Sequence, residues 1–346
     1  MQTNTIDASS EDFGVLARQI REAGLLKRRL GYYGAKIPLT VAAFGAGFAG
    51  LVLVGNSWFA LLIAVFLGLV FTQLGFVGHD AGHQEVFRSR RANRLLGFAV
   101  GNVLIGMSFG WWVPKHSAHH AHPNEIGRDP DIGDGPVNVH PDGQDAGGNR
   151  LTRAMERWRV PLFFPLMILR STGIYVLGIR RLIRERNGVA GVEGALLALH
   201  VGLYLTCVFW VLSPLKAVAF IAVQQAVFSV YLGCSFAPNH KGMPIIEPDS
   251  GLSFVRRQVI TSRNIAGGRF TNLLLGGLNY QIEHHLFPNM PRPNLARAQG
   301  IVRAFCLENN LGYREDSLIG SYRQTLNSLR GSVVPSVARV PVGVSA

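Results

Sequence analysis

Histidine is the residue type in this chain whose spacing points to chemistry. Seven of the 11 histidines in 346 residues fall in three short runs, HDAGH at 79–83, HSAHH at 116–120 and QIEHH at 281–285. His79 and His83 are one helical turn apart, so a helix presents both rings on one face. His116, His119 and His120 follow an i, i+3, i+4 pattern, and the adjacent pair diverges enough to reach two different metal ions. His284 and His285 repeat that adjacency behind Gln281. Imidazole-only clusters without cysteine suit iron, zinc or copper and not magnesium or calcium; spacing alone does not choose among the three. The isolated His140 and His200 read as structural hydrogen-bonders. His122 lies off the face shared by its neighbours and is followed by Pro123, so it reads as structural or supporting.

The elements that must position these runs are set by hydropathy. Apolar residues make up 48% of the chain and charged residues 16%, and four stretches, about 37–55, 58–78, 193–212 and 215–237, have the roughly 20 apolar residues needed to span a bilayer. Gly55-Asn56-Ser57 and Ser213-Pro214 join them into two helical hairpins with minimal far-side turns. Of the 34 Lys and Arg, only Lys216 falls at a far-side turn. The other face, with Lys27 to Arg29, Arg88 to Arg94, Arg180 to Arg186 and Arg256-Arg257, is therefore cytoplasmic by the positive-inside rule. All three histidine runs are expected on that face. The net charge of +13 follows from this topology and from anionic headgroups, and a nucleic-acid reading is set aside.

Residues 11–30 alternate Phe13, Leu16, Ile20, Leu25 and Leu26 with Arg and Lys, the pattern of an interfacial helix. The glycine-rich run 95–113 reads as re-entrant or interfacial, because a full crossing would separate the first two histidine runs. Pro161, Pro165 and Arg170 likewise place 160–179 along the membrane surface. Residues 125–150 read as a cytoplasmic loop and the tail from about 331 as poorly ordered. Asp129, Asp131 and Asp134 miss the EF-hand spacing and read as solvated loop carboxylates. GAGFAG at 45–50 matches a dinucleotide-binding pattern in letters only; inside an apolar helix its small residues permit close packing. Three cysteines without CxxC spacing offer neither a zinc ribbon nor a structural disulfide. No signal-peptide pattern precedes residue 30.

Together the runs HxxxH, HxxHH and QxxHH, behind two membrane hairpins, resemble the membrane fatty-acid desaturase family over roughly residues 40–310. QIEHHLFP, with Gln leading, is similar to the acyl-CoA and front-end branch, and HHAHPN and FAPNHKGMP look like desaturases of actinobacterial type. The resemblance implies an all-α integral-membrane fold: four membrane helices in two hairpins, with a helical cytoplasmic cap holding two irons. The desaturase domain is expected at 37–310, between an N-terminal segment 1–36 and a C-terminal tail 311–346. It further implies His79, His83, His116, His119, His120, His284 and His285 as iron ligands, with His240 after the fourth helix as an eighth. Gln281 is read as supporting the ligands, Asn239 as positioning a water, and Asp80, Glu283 and Asp129 as acceptors for imidazole N–H groups or as solvated charges.

The activity implied is insertion of a cis double bond into an acyl chain carried on CoA or a lipid. Removing two hydrogens from unactivated methylenes is beyond acid–base side chains, so O₂ activated at the metal with two external electrons must supply the oxidising power. Regioselectivity would come from a narrow apolar tunnel with walls from 95–113 and the third helix. Trp111 and Trp112 are assigned to an interfacial aromatic belt. Front-end relatives carry a fused cytochrome b5 domain with an HPGG motif; none is found here, so a separate ferredoxin, cytochrome or flavin reductase is expected to dock on the cytoplasmic face. The expected location is a bacterial cell membrane, with both termini and the active site cytoplasmic. The rivals are a lipid hydroxylase or carotenoid ketolase of the same class and, remotely, a membrane metal transporter, against which the scarcity of polar residues along the helices argues.

Overall fold

The computed structural model describes residues 10–132, 150–185, 187–330 and 336–337. Asp134, His140, most of the 125–150 loop and most of the tail from 331 lie outside the described residues. Among those described the protein is helical, apart from two parallel pairings of two-residue strands, Ile245–Ile246 with Ser336–Val337 and Asn264–Ile265 with Glu315–Asp316. The chain forms two compact units, one of residues 28–114 and 164–234, the other of residues 1–27, 115–163 and 235–346.

The first unit holds the membrane helices. Leu30–Val54, Ala60–Gly82, Gly188–Val211 and Pro214–His240 are each long and apolar enough to cross a bilayer, the last ending in the second unit. They need the helix because hydrocarbon offers no partner for backbone N–H and C=O groups. The first, third and fourth begin before the apolar stretch read from the sequence, while the second begins two residues after it and continues far enough to include His79. The hairpins meet at their turns: Ser213 N donates to Asn56 Oδ1 at 3.0 Å and Lys216 Nζ to Asn56 O at 2.6 Å. Polar side chains between the helices are tied to one another, as where Lys36 donates to Gln73 and Gln73 to Tyr231.

The glycine-rich run 95–113 does not continue as one straight span. Helix Arg90–Gly97 runs into a π-helical turn, Phe98–Leu104, and the chain then breaks and bends by 117° into helix Phe109–Ala121. Gly106 sits at the break with φ +72°, and a Cβ there would lie 2.6 Å from the His200 ring. His200 donates from Nδ1 to Val103 O at 2.8 Å, the structural role read for it. The anchor of this reversal is Glu193, fully buried near the start of the third membrane helix. Its Oε1 accepts from Asn102 Nδ2, Ser108 Oγ and Gly110 N at 3.1, 2.7 and 2.8 Å, and its Oε2 accepts from Arg181 Nη1 at 2.9 Å. Helix Arg150–Ile168, partly in the other unit, bends by 54° into Arg170–Arg184.

The second unit has its own apolar core. Leu16 and Ile20 from helix Ser10–Glu22, with Leu25, are buried among Val255, Val259, Ile282, Leu286 and Phe305. The stripe read as a membrane-surface face is thus occupied by protein side chains, and Phe13 packs edge-on to Phe254 and stacks on Phe287.

Glu193→Leu leaves two buried donors, Asn102 and Ser108, and two part-buried ones, Gly110 N and Arg181, without their acceptor and is expected to lower unfolding free energy by about 3 kcal/mol or more. Denaturation in detergent measures this; a change within about 0.5 kcal/mol, the range of a neutral surface substitution, would show that Glu193 anchors nothing.

Candidate metal centre

Three elements of the second unit carry clustered histidines. Helix Phe109–Ala121 brings His116, His119 and His120, the last turn of Pro214–His240 brings His240, and the short helix Gln281–Leu286 brings His284 and His285. One ring nitrogen from each of His119, His240 and His285 lies within 4.8 Å of the other two. Beside them, His116 and His120 face each other Nε2 to Nε2 at 3.2 Å, and the His120 ring lies 4.7 Å from that of His284 and stacks on His285 at 4.1 Å. The sequence separated these residues by up to 169 positions; the fold gathers them.

The hydrogen bonds on the far side of each ring fix its tautomer. His240 Nδ1 is 3.0 Å from Thr261 O, a carbonyl that can only accept, so Nδ1 carries the proton. His119 Nδ1 is 3.0 Å from both oxygens of Asp129. His285 Nδ1 is 2.9 Å from Gln258 Oε1, and that amide is oriented because its Nε2 donates to His120 O at 2.9 Å. With Nδ1 protonated in all three, each Nε2 presents a lone pair. His119 Nε2 and His240 Nε2 nevertheless stand 3.3 Å apart in a buried place. Two facing lone pairs at that distance repel unless a proton or a metal ion lies between them, and the Gln281 Nε2 beside His240 Nε2 at 2.9 Å offers a donor to one of them. Burial pushes the His119 imidazole down, but the Asp129 hydrogen bond and charge outweigh it and hold its pKa above the ordinary histidine value. Burial and the neighbouring His119 push His240 the other way, down to about 3, so its Nε2 stays an acceptor, and imidazole donors with backed Nδ1 protons fit a transition-metal ion such as iron.

The other residues singled out in the sequence fall as follows. In the first unit, the His79 and His83 rings are 4.6 Å apart, as one helical turn requires. Asp80 is buried, with its Oδ1 3.6 Å from His79 Nδ1, and it accepts from Tyr33 OH at 3.0 Å. Asp129 is no solvated loop carboxylate. It is buried because it backs His119, and it also accepts from the backbone N–H groups of Asn124 and Asp131. Glu283 turns away from the imidazoles and accepts from Asn264 Nδ2 at 2.7 Å and Tyr313 OH at 3.0 Å. Burial pushes its carboxyl up to about 7, against those two donors.

Asn239 Nδ2 donates to Ser235 O at 3.3 Å and to Gln281 Oε1 at 3.0 Å, which turns the Gln281 Nε2 towards His240 Nε2 at 2.9 Å. The Asn239 Oδ1 is buried without a protein donor. His122 pairs with Glu125 at 2.9 Å, away from the cluster described above. Trp112 is no belt residue: its ring lies 5.6 Å from His79, and a Cβ on Gly82 would meet it at 2.6 Å.

The residues that sequence reasoning missed lie mainly on one histidine-free stretch, 258–265. Gln258 holds His285 and the backbone of His120, and Thr261 O holds His240. Asn264 receives the N–H of Ile282 at 2.9 Å and donates to Glu283. One segment therefore touches all three histidine-bearing elements of this unit. Its only advance signal was polar residues, Gln258, Thr261, Ser262 and Asn264, in a stretch with no turn chemistry of its own.

A family model described as "Fatty acid desaturase" matches residues 56–317. The chain is 30% identical over 332 residues to an "Acyl-lipid (9-3)-desaturase" of Physcomitrium patens, covering 92% of this chain and 62% of that protein. It is 27% identical over 342 residues to a "Delta(8)-fatty-acid desaturase" of Helianthus annuus, covering 93% and 73%. With a "Delta(5) fatty acid desaturase" of Caenorhabditis elegans it shares 30% over 333 residues, covering 93% and 73%. The chain thus spans less than two thirds of the Physcomitrium protein's length.

Gln258→Met keeps the length of the side chain and removes the acceptor behind His285. Metal affinity, read by titration of the apoprotein, is expected to fall about 10- to 100-fold; an unchanged affinity would mean that His285 is not held for a metal.

Proposed function

The chain belongs to the fatty acid desaturase family, and from that membership we propose that it is a membrane-bound fatty-acyl desaturase. It introduces a cis double bond into the acyl chain of an acyl-CoA or acyl-lipid, with O₂ and two external electrons. The observation that carries the reading is the convergence of His119, His240 and His285, each with its Nδ1 proton held from behind. We assign His79, His83, His116, His119, His120, His240, His284 and His285 as the ligands of two irons, with Gln281, Asn239 and Asp80 supporting them; Glu283 is engaged by Asn264 and Tyr313 instead.

A bound iron pair supplies the reduction of O₂ and the oxidising power that removes hydrogens from methylenes, which side chains alone lack. The chain's own residues supply geometry. Asp129, Thr261 O and Gln258 hold the Nδ1 protons, which fixes the three rings in orientation and leaves each Nε2 as the atom turned to a metal. The packing of 103–106 on His200 of the third helix supports apolar tunnel walls from 95–113 and that helix, which would hold one pair of methylenes in place.

The finer reading is a front-end type enzyme, supported by the leading Gln281 and by relatives named for Δ8 and Δ5 desaturation. HHAHPN and FAPNHKGMP support an actinobacterial type. Residues 37–310 form its desaturase domain, between segments 1–36 and 311–346. The electron donor is a separate ferredoxin, cytochrome or flavin reductase, and the basic loops support an active site on the cytoplasmic face of a bacterial cell membrane.

Purified protein is expected to hold close to two irons and to desaturate an acyl substrate only with O₂ and a reductant. Mass spectrometry should show loss of two hydrogens; gain of oxygen would assign a hydroxylase or ketolase instead. Full activity after His119→Ala combined with His120→Ala would sink the proposal.

A further inference from the structure

The fourth membrane helix ends on the turn that carries Pro238, Asn239 and His240, a turn weak for two reasons. Pro238 has no N–H to donate back along the helix, and the last carbonyls of any helix have no partner inside it. Arg263 supplies the partners. Its backbone N–H donates to Asn239 O at 2.9 Å, its Nε to Pro238 O at 2.9 Å, and its Nη2 both to Pro238 O and, at 3.0 Å, to Lys241 O. The guanidinium is 1% exposed, and its remaining bonds go to Ser321 O at 3.3 Å and Gln324 Oε1 at 2.6 Å.

Every one of these acceptors is a neutral oxygen. A buried cation costs several kcal/mol of desolvation unless it is well partnered, and a methionine would fill this space without that cost. What a cation adds here is attraction to the negative end of a helix and a rigid fork that engages successive carbonyls. Burial pulls the guanidinium down to about 10, with Asp316 acting the other way, which leaves it charged at neutral pH. Two residues earlier the same stretch of chain offers Thr261 O to the His240 ring. Residues 261–263 therefore hold both the ring of His240 and the turn from which it projects, and Gln324 and Ser321 brace Arg263 from helix Leu318–Leu329.

We infer that Arg263 is a positioning residue for His240: it clamps the end of the fourth membrane helix so that Asn239 and His240 face the metal centre. The inference rests on the metal-site reading proposed above.

The test uses the full-length protein in detergent, stripped of metal and titrated anaerobically with iron(II). Arg263→Lys keeps the charge and loses the fork. It is expected to weaken one of the two iron equivalents about tenfold or more and leave the other as in the wild type. In a His240→Ala background the same change should add nothing, because both act through one ring. If Arg263→Lys does not accumulate as folded protein, Gln324→Ala removes the brace on Arg263, along with the Gln324 bond to Asp316, and should weaken the same equivalent severalfold. Wild-type affinity for both irons in either variant would overturn the inference, and so would losses that multiply in the double variant, since general loosening would do that. Wild-type protein that binds no iron would sink the metal-site reading and this inference together. Two irons in wild type with no effect of either variant would sink this inference alone.

Discussion

Everything in the metal centre depends on where three protons sit. Histidine offers two nitrogens, and a buried imidazole points a lone pair at a chosen place only if something holds a proton on the other nitrogen. Asp129, Thr261 O and Gln258 do this for His119, His240 and His285. The result is a cluster of Nε2 lone pairs turned to one place, with His119 and His240 3.3 Å apart and Gln281 Nε2 beside His240, an arrangement that suits a metal ion. The elements that bear these groups, down to the C-terminal helix behind Arg263, serve that arrangement.

The membrane half of the chain works under a different constraint. Its helices satisfy their own backbones, and the reversal between residues 104 and 109 must find partners elsewhere. Glu193 provides three of its four acceptor contacts to that reversal or to its flanks. A carboxylate in an apolar helix is costly, and here the cost is offset by complete hydrogen bonding and by Arg181. Because the reversal feeds directly into Phe109–Ala121, Glu193 also sets where the helix carrying the second histidine run begins.

Much of this was legible in the sequence because helical periodicity carries it. The spacings of His79 with His83 and of His116 with His119 and His120 report shared faces, and the four apolar stretches report spans. His240, a lone histidine after the fourth span, was singled out only through the family resemblance. What could not be read acts across long sequence separations through common residue types: Gln258, Thr261, Arg263 and Asn264 look like an ordinary polar stretch until the fold presses them against three helices. Asp129 carried two readings, a solvated loop carboxylate and an acceptor for an imidazole N–H, and only the fold, by bringing His119 to it, decides for the second. Trp112 and the stripe of Leu16 and Ile20 were read as membrane-facing because an amphipathic pattern does not say whether lipid or protein covers it. Glu193 had left a trace, a lone acid opening an apolar run.

The central claim, that buried imidazoles with fixed Nδ1 protons hold a pair of irons, is tested most directly by diffraction from iron-loaded crystals at the iron absorption edge. The account predicts two separate anomalous peaks, one of them enclosed by the Nε2 atoms of His119, His240 and His285. A single peak, or a peak remote from those three nitrogens, would contradict it.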